Sequence, residues 1–188
     1  MTPLLEAVTL VYICALILLV VVLGVYLISL TITRSPFLSL SYRKIPEIMS
    51  ALELRSDSIF YDLGCGDGRM VLAASTVAGR CTGIDYALAA YTLARFRRRR
   101  AGSPSNTTIR REDFLKADIS DATHIFCYLF PPVMQDLHLK FQKELKPGTR
   151  VVSCDFPIVG KEPKATIPFK KQKLFFNKLG TTLYVYEY

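Results

Sequence analysis

The sequence predicts an α/β fold: a doubly wound sheet with helices on both faces, preceded by one membrane-spanning helix. Three observations predict it. Apolar runs at 58–63, 81–85, 107–111, 123–129 and 150–154 alternate with helix-like or turn-rich stretches, the pattern of a largely parallel sheet. Tyr61-Asp62-Leu63-Gly64-Cys65-Gly66-Asp67-Gly68-Arg69 reads as strand, glycine turn, helix. Ahead of both, residues 7–33 form 27 consecutive uncharged positions dominated by Leu, Val and Ile.

As a helix the front segment rises about 40 Å, against a hydrocarbon core of roughly 30 Å. The only early side-chain charge is Glu6, and the run is too long for a cleaved signal, so a retained single-pass anchor is expected. Arg34, Arg43 and Lys44 follow the span, which turns the remainder toward the cytoplasm, or an equivalent compartment such as a mitochondrial matrix. From position 34 onward there are 24 basic and 15 acidic residues, a net charge of +9. Such a tethered domain is drawn to anionic headgroups or an acidic partner, and the anchor argues against nucleic acid. The expected divisions are an anchor at 1–33, a juxtamembrane linker with Pro36 and a short helix at 34–57, and a globular domain at 58–188.

Ile45, Ile48, Met49 and Leu52 repeat at helical spacing, so 46–53 is a short amphipathic helix, packed on the sheet or covering the ligand. After the first strand, Gly64, Gly66 and Gly68 let the chain turn sharply and let a ligand lie against bare backbone. A helix at 70–78, stopped by Gly79, precedes the second strand. That strand closes on Asp85, 21 positions after Gly64, where a carboxylate can accept hydrogen bonds from both hydroxyls of a ribose. The helix at 87–100 ends in Arg97, Arg98, Arg99 and Arg100, either a solvated end that suits the helix dipole or a headgroup clamp. Residues 107–111 form a third strand and lead to Asp113-Phe114; a fourth feeds Tyr128-Leu129-Phe130-Pro131-Pro132. A helix at 133–145 and a fifth strand ending at Asp155-Phe156 follow. Phe175-Phe176 and Thr182-Leu183-Tyr184-Val185-Tyr186, around Leu179-Gly180, close the chain as a hairpin. Five widely spaced cysteines without a C-x-x-C read as small buried thiols, and His124 and His138 are too few and too separated for a metal site.

The glycine turn lacks the small residue a dinucleotide fingerprint places at Arg69 and the Gly-Lys-Ser/Thr of a phosphate loop. Asp62-Leu63-Gly64-Cys65-Gly66-Asp67-Gly68 resembles the first motif of class I S-adenosylmethionine-dependent methyltransferases. Leu129-Phe130-Pro131-Pro132-Val133-Met134, Glu144-Leu145-Lys146-Pro147-Gly148-Thr149-Arg150-Val151-Val152-Ser153 and Asp155-Phe156 narrow the resemblance. They look like the small membrane-anchored lysine methyltransferases that act on the adenine nucleotide translocase and the ATP synthase c-subunit, and their prokaryotic relatives. The resemblance implies a Rossmann-like seven-stranded methyltransferase sheet, S-adenosyl-L-methionine as cofactor and a lysine-bearing membrane or membrane-adjacent protein as partner. It puts Asp62 near the donor's amino group, Gly64, Gly66 and Gly68 under its methionine chain and Asp85 on its ribose. It also sets Asp113 on the adenine amino group and Phe114 against the ring; the other reading of Asp113 is a turn-former.

Methyl transfer to a lysine is an in-line displacement that needs the neutral amine. From a reference pKa of 10.4, supplying it at pH 7 costs about 4.6 kcal/mol. Tyr128 and Asp155, at the ends of neighbouring strands, are the candidates to receive the proton; their other readings are a core side chain and a capping residue. A lipid or quinone methyltransferase and a non-catalytic donor-binding module are the alternative functions.

Overall fold

The computed structural model describes residues 3–33, 40–170 and 181–188. The chain forms two compact units, Met1–Pro36 and Phe37–Tyr188. In the first, α1 (Pro3–Thr33) is a 31-residue helix whose side chains are exposed from Leu5 to Val25. Arg34 and the linker around Pro36 lie outside the described residues.

In the second unit a 3₁₀ turn at Tyr42–Lys44 enters α2 (Ile45–Leu52), with Pro46 in its first turn. Ile48, Ala51 and Leu52 are buried against the sheet, so the packed reading describes this helix. Its end is held by Arg150, whose Nε donates to Ala51 O (2.8 Å) and whose guanidinium pairs with Glu53 (2.7 Å), satisfying a carbonyl that has no partner within the helix.

Then come β1 (Ile59–Leu63), α3 (Arg69–Ala74), β2 (Arg80–Ile84), α4 (Leu88–Arg100), β3 (Thr107–Arg110), β4 (His124–Cys127), α5 (Pro131–Glu144), β5 (Arg150–Cys154), β6 (Ala165–Pro168) and β7 (Thr182–Glu187). The seven strands lie in the order β3-β2-β1-β4-β5-β7-β6. The first five are parallel, and β7 runs antiparallel between β5 and β6. Alternation along each strand builds two cores. Phe60, Cys81, Phe126, Val152, Leu183 and Val185 face α2 and α3; Leu63, Ile84, Ile125, Val151 and Tyr186 face α5. Gly83 is where α3 comes down on the sheet: a Cβ there would stand 2.7 Å from Val71 Cγ2 and 2.9 Å from Cys65 Sγ.

Two expectations change. The helix after the glycine turn ends at Ala74, not near Gly79, because the hydroxyls of Ser75 and Thr76 bond back to Leu72 O and Ala73 O (both 2.8 Å). Between β3 and β4 the described chain runs through turns. Asp113 and Asp118 each accept the N–H two residues on (3.0 and 2.9 Å), and buried Lys140 of α5 ties the segment down through Ala117 O (2.6 Å) while pairing with Glu144 (2.6 Å). Last, β7 holds the residues expected, but the described strand beside it is Ala165–Pro168. That edge strand carries a single large apolar side chain and a proline, so it gives no period-2 signal. The hairpin expected through Phe175, Phe176, Leu179 and Gly180 lies outside the described residues.

Cys65, Cys81, Cys127 and Cys154 are buried free thiols, and Cys14, in α1, is exposed. His138 bonds the Tyr188 hydroxyl through Nδ1 (2.8 Å), and burial lowers the pKa of both His124 and His138 below the usual histidine range.

Candidate active site

The sheet reverses its winding between β1 and β4, so a crevice opens beyond the carboxyl ends of those strands. The glycine turn fills its floor. The N–H groups of Gly64 and Cys65 both donate to Ile84 O (2.9 and 3.1 Å), and Gly68 N–H donates to Cys65 O (2.9 Å). Gly64, Gly66 and Gly68 have φ of 74°, 55° and 77°. At Gly64 a Cβ would also stand 2.7 Å from Leu129 Cδ2, so the turn lies directly against the chain leaving β4.

Asp85 closes the turn from the other side. Its Oδ2 accepts Gly66 N–H and its Oδ1 accepts Ala87 N–H, each at 2.9 Å. Each oxygen keeps a lone pair, so a vicinal diol can be bound as well. Burial raises the Asp85 carboxyl above its ordinary range, and the two backbone bonds offset part of this. Asp62, one residue before the end of β1, is 3% exposed. Among the described residues no donor reaches it. Burial, then the charges of Asp85 and Asp67, raise its pKa far above the ordinary range. A buried carboxylate and a half-buried one facing one crevice suit a ligand that is cationic at one end and carries a ribose at the other. The donor set therefore fits S-adenosylmethionine, which supplies a methyl group on a sulfonium. Cys65 is no nucleophile: burial and the charges of Asp62, Asp85 and Asp67 push its thiol well up.

Asp113 and Phe114 stand just beyond β3, both half-buried. Asp113 Oδ1 makes the turn bond to Leu115 N–H, and Phe114 packs on the core facing α5. The expected turn-forming role is thus present beside whatever Asp113 does for a ligand.

Tyr128 and Asp155 meet: the Tyr128 hydroxyl donates to Asp155 Oδ2 at 2.8 Å. Asp155 Oδ1 accepts the backbone N–H of Thr181 (2.5 Å) and that of Thr182 (3.3 Å), and its backbone is left-handed, with φ 62°. Phe156 stacks on Tyr128 (centroids 6.3 Å apart) and tilts against Phe130 (5.2 Å). A carboxylate with a tyrosine hydroxyl at the rim of an aromatic wall can hold an ammonium, strip its water and receive its proton.

Sequence reasoning gave no role to the network beneath the turn. Arg69 Nε donates to both oxygens of buried Asp67 (2.8 and 3.1 Å) and another of its nitrogens donates to Leu40 O. Arg97 pairs with the same carboxylate (2.8 Å) and donates to the Tyr42 hydroxyl, while the Arg69 guanidinium lies 4.4 Å from the Tyr42 ring centre. Burial alone would push the Asp67 carboxyl up, but the two arginines hold it below its ordinary range. The available signal was Arg69 itself, a cation two residues after a carboxylate inside a glycine turn.

A sheet of this order, with its carboxylates gathered at the switch point, defines a class I S-adenosylmethionine-dependent methyltransferase. Residues 62–165 match the ANTKMT methyltransferase domain model, and the chain belongs to that family. It is 31% identical over 153 residues to a protein-lysine N-methyltransferase of Saccharolobus islandicus, covering 80% of this chain and 92% of that one. It is 36% identical over 134 residues to the mouse adenine nucleotide translocase lysine N-methyltransferase, covering 70% of this chain but 58% of the mouse enzyme. Among solved structures, an RNA methyltransferase from Salinibacter ruber bound to S-adenosyl-L-homocysteine superposes with a TM-score of 0.71 at 30% identity, over 80% of this chain and 93% of that one.

Proposed function

We propose that this chain methylates a lysine ε-amine on a membrane or membrane-adjacent protein, working from a bilayer in which α1 is the single-pass anchor. The observation that carries the acceptor chemistry is the hydrogen bond between Tyr128 and Asp155. It sets a proton acceptor beside the aromatic wall of Phe130 and Phe156, where a lysine stem can be desolvated. In this reading Asp155 receives the ammonium proton and Tyr128 orients the carboxylate. Asp62 holds the donor's amino group, Gly64, Gly66 and Gly68 lie under its methionine chain, Asp85 takes the ribose hydroxyls, Asp113 takes the adenine amino group and Phe114 lies against the ring. The names of the two relatives support lysine as the acceptor. For the anchor, the support is the length and apolar composition of Leu5–Val25, none of which is buried, with domains divided at about 1–33, 34–57 and 58–188.

A second acceptor, RNA, has one observation behind it: the similar Salinibacter ruber structure is that of an RNA methyltransferase. One experiment separates the readings. The full-length chain is incubated with methyl-tritiated S-adenosylmethionine and its native membranes. Label is expected in a protein band that yields methyl-lysine on hydrolysis. Label that RNase removes, or that partitions into organic solvent, overturns the lysine assignment.

A further inference from the structure

The arginine run at the end of α4 divides in two. Arg97 and Arg98 turn inward: Arg97 pairs with Asp67 (2.8 Å), and Arg98 donates through Nε to Thr107 Oγ1 (2.7 Å) and through a terminal nitrogen to Pro104 O (3.3 Å). Arg95, Arg99 and Arg100 are exposed, and among the described residues they form no ion pair. At about 100° per residue these three share one arc of the helix with Leu88, Thr92, Leu93 and Phe96. Leu88, Leu93 and Phe96 are exposed by 57%, 41% and 56%. The Arg100 guanidinium sits 5.8 Å from the Phe96 ring centre, and α4 contains no acidic residue.

We propose that this outer face of α4 is a second membrane contact, with Leu88, Leu93 and Phe96 entering the acyl boundary of an anionic bilayer and Arg95, Arg99 and Arg100 on headgroup phosphates. The proposal rests on the reading of α1 as an anchor. Three large apolar side chains interleaved with three uncompensated cations match an interface that is apolar below and anionic above. A nucleic acid would use the cations and the Phe96 ring, but phosphodiester gives Leu88 and Leu93 nothing to bury against. The face follows directly on the strand end that carries Asp85, so docking it would bring the donor crevice to the membrane surface.

The test uses the full chain with Cys14→Ser and Thr92→Cys, labelled with a polarity-sensitive dye; the other four cysteines are buried. It is reconstituted in vesicles of phosphatidylcholine, with or without phosphatidylserine. The dye's emission should shift to the blue only with phosphatidylserine, and the shift should reverse in high salt. Adding Arg95→Gln, Arg99→Gln and Arg100→Gln should lower the docked-to-undocked ratio on the order of a hundred-fold, while donor binding by calorimetry stays unchanged. A chain that floats with both vesicles but gives the same emission in each overturns the second contact alone. So does a dye that responds to added RNA on neutral vesicles and not to phosphatidylserine. A chain that floats with neither vesicle overturns the anchor and the second contact together.

Discussion

At the residue scale, Asp62 sets a prediction whose sign can be worked out. Its pKa is raised in the folded protein, so between the ordinary value of 3.8 and that raised value the native state binds more protons than the unfolded one. Stability therefore falls as pH climbs through that window. Asp62→Asn removes the loss: at pH 7 the ligand-free protein should melt higher, by about 2–4 °C for each kcal/mol relieved. Donor affinity should fall roughly tenfold or more, since a charge-assisted contact is lost. Thermal scans across pH, with and without donor, check both halves; a pH profile identical to that of the parent chain refutes the first. Asp155 and Tyr128 act as a pair in the proposed chemistry. Asparagine tolerates the left-handed backbone at Asp155 (φ 62°) and keeps an oxygen for Thr181 N–H. Asp155→Asn should thus lower single-turnover methyl transfer by about 10²–10⁴ without weakening donor binding. Tyr128→Phe keeps the ring on Phe156 and removes the hydroxyl, and the double variant should be little worse than Asp155→Asn alone. Full additivity would separate the two roles.

At the element scale, the glycine turn is fixed to α4 and to the segment before α2 by Asp67, Arg69, Arg97 and Tyr42. Asp67 is 3% exposed on its side chain and Arg69 13%, so removing Arg69 leaves a buried carboxylate with Arg97 as its remaining ion-pair partner. Arg69→Met should cost about 3–5 kcal/mol, read as a large drop in melting temperature; a loss no bigger than a surface pair gives would show that Arg97 alone compensates Asp67. Because the two arginines hold Asp67 below its ordinary range, the stability it contributes is complete above 3.8 and lost as pH falls through its depressed value. This network was hard to read from sequence, since its members come from residues 40–42, 67–69 and 97 and only the fold brings them together. The strands were legible because parallel, doubly covered strands are continuous apolar runs. Helix ends were less so. Ser75 and Thr76 stopped α3 through side-chain bonds that composition does not display.

At the scale of the whole molecule, the glycine turn and the carboxylate 21 residues on were enough to orient the crevice, because both lie at carboxyl ends of adjacent parallel strands. The pairing of Tyr128 with Asp155 was legible only as two neighbouring strand ends; the register Cys127↔Ser153 turns that proximity into a hydrogen bond. The net charge of +9 from position 34 onward bears on the reaction too. A basic domain repels the ammonium form of an arriving lysine and favours the neutral amine the displacement requires. Since kcat/KM reports the ionisation of free enzyme and free substrate, and Asp155 takes the proton of a lysine that arrives as ammonium, it should stay nearly flat between roughly pH 6 and 9, below the acceptor's reference pKa near 10.4. Asp155→Asn should lower that line and make it climb by about one log unit per pH unit, because only lysine that has already lost its proton to solvent could then react. The measurement is an initial-rate series on a lysine-bearing acceptor at constant ionic strength, with donor saturating. A parent line that climbs with the same slope as the variant's would mean that the amine forms in solution and Asp155 receives no proton, and the proposed role of Asp155 would fail.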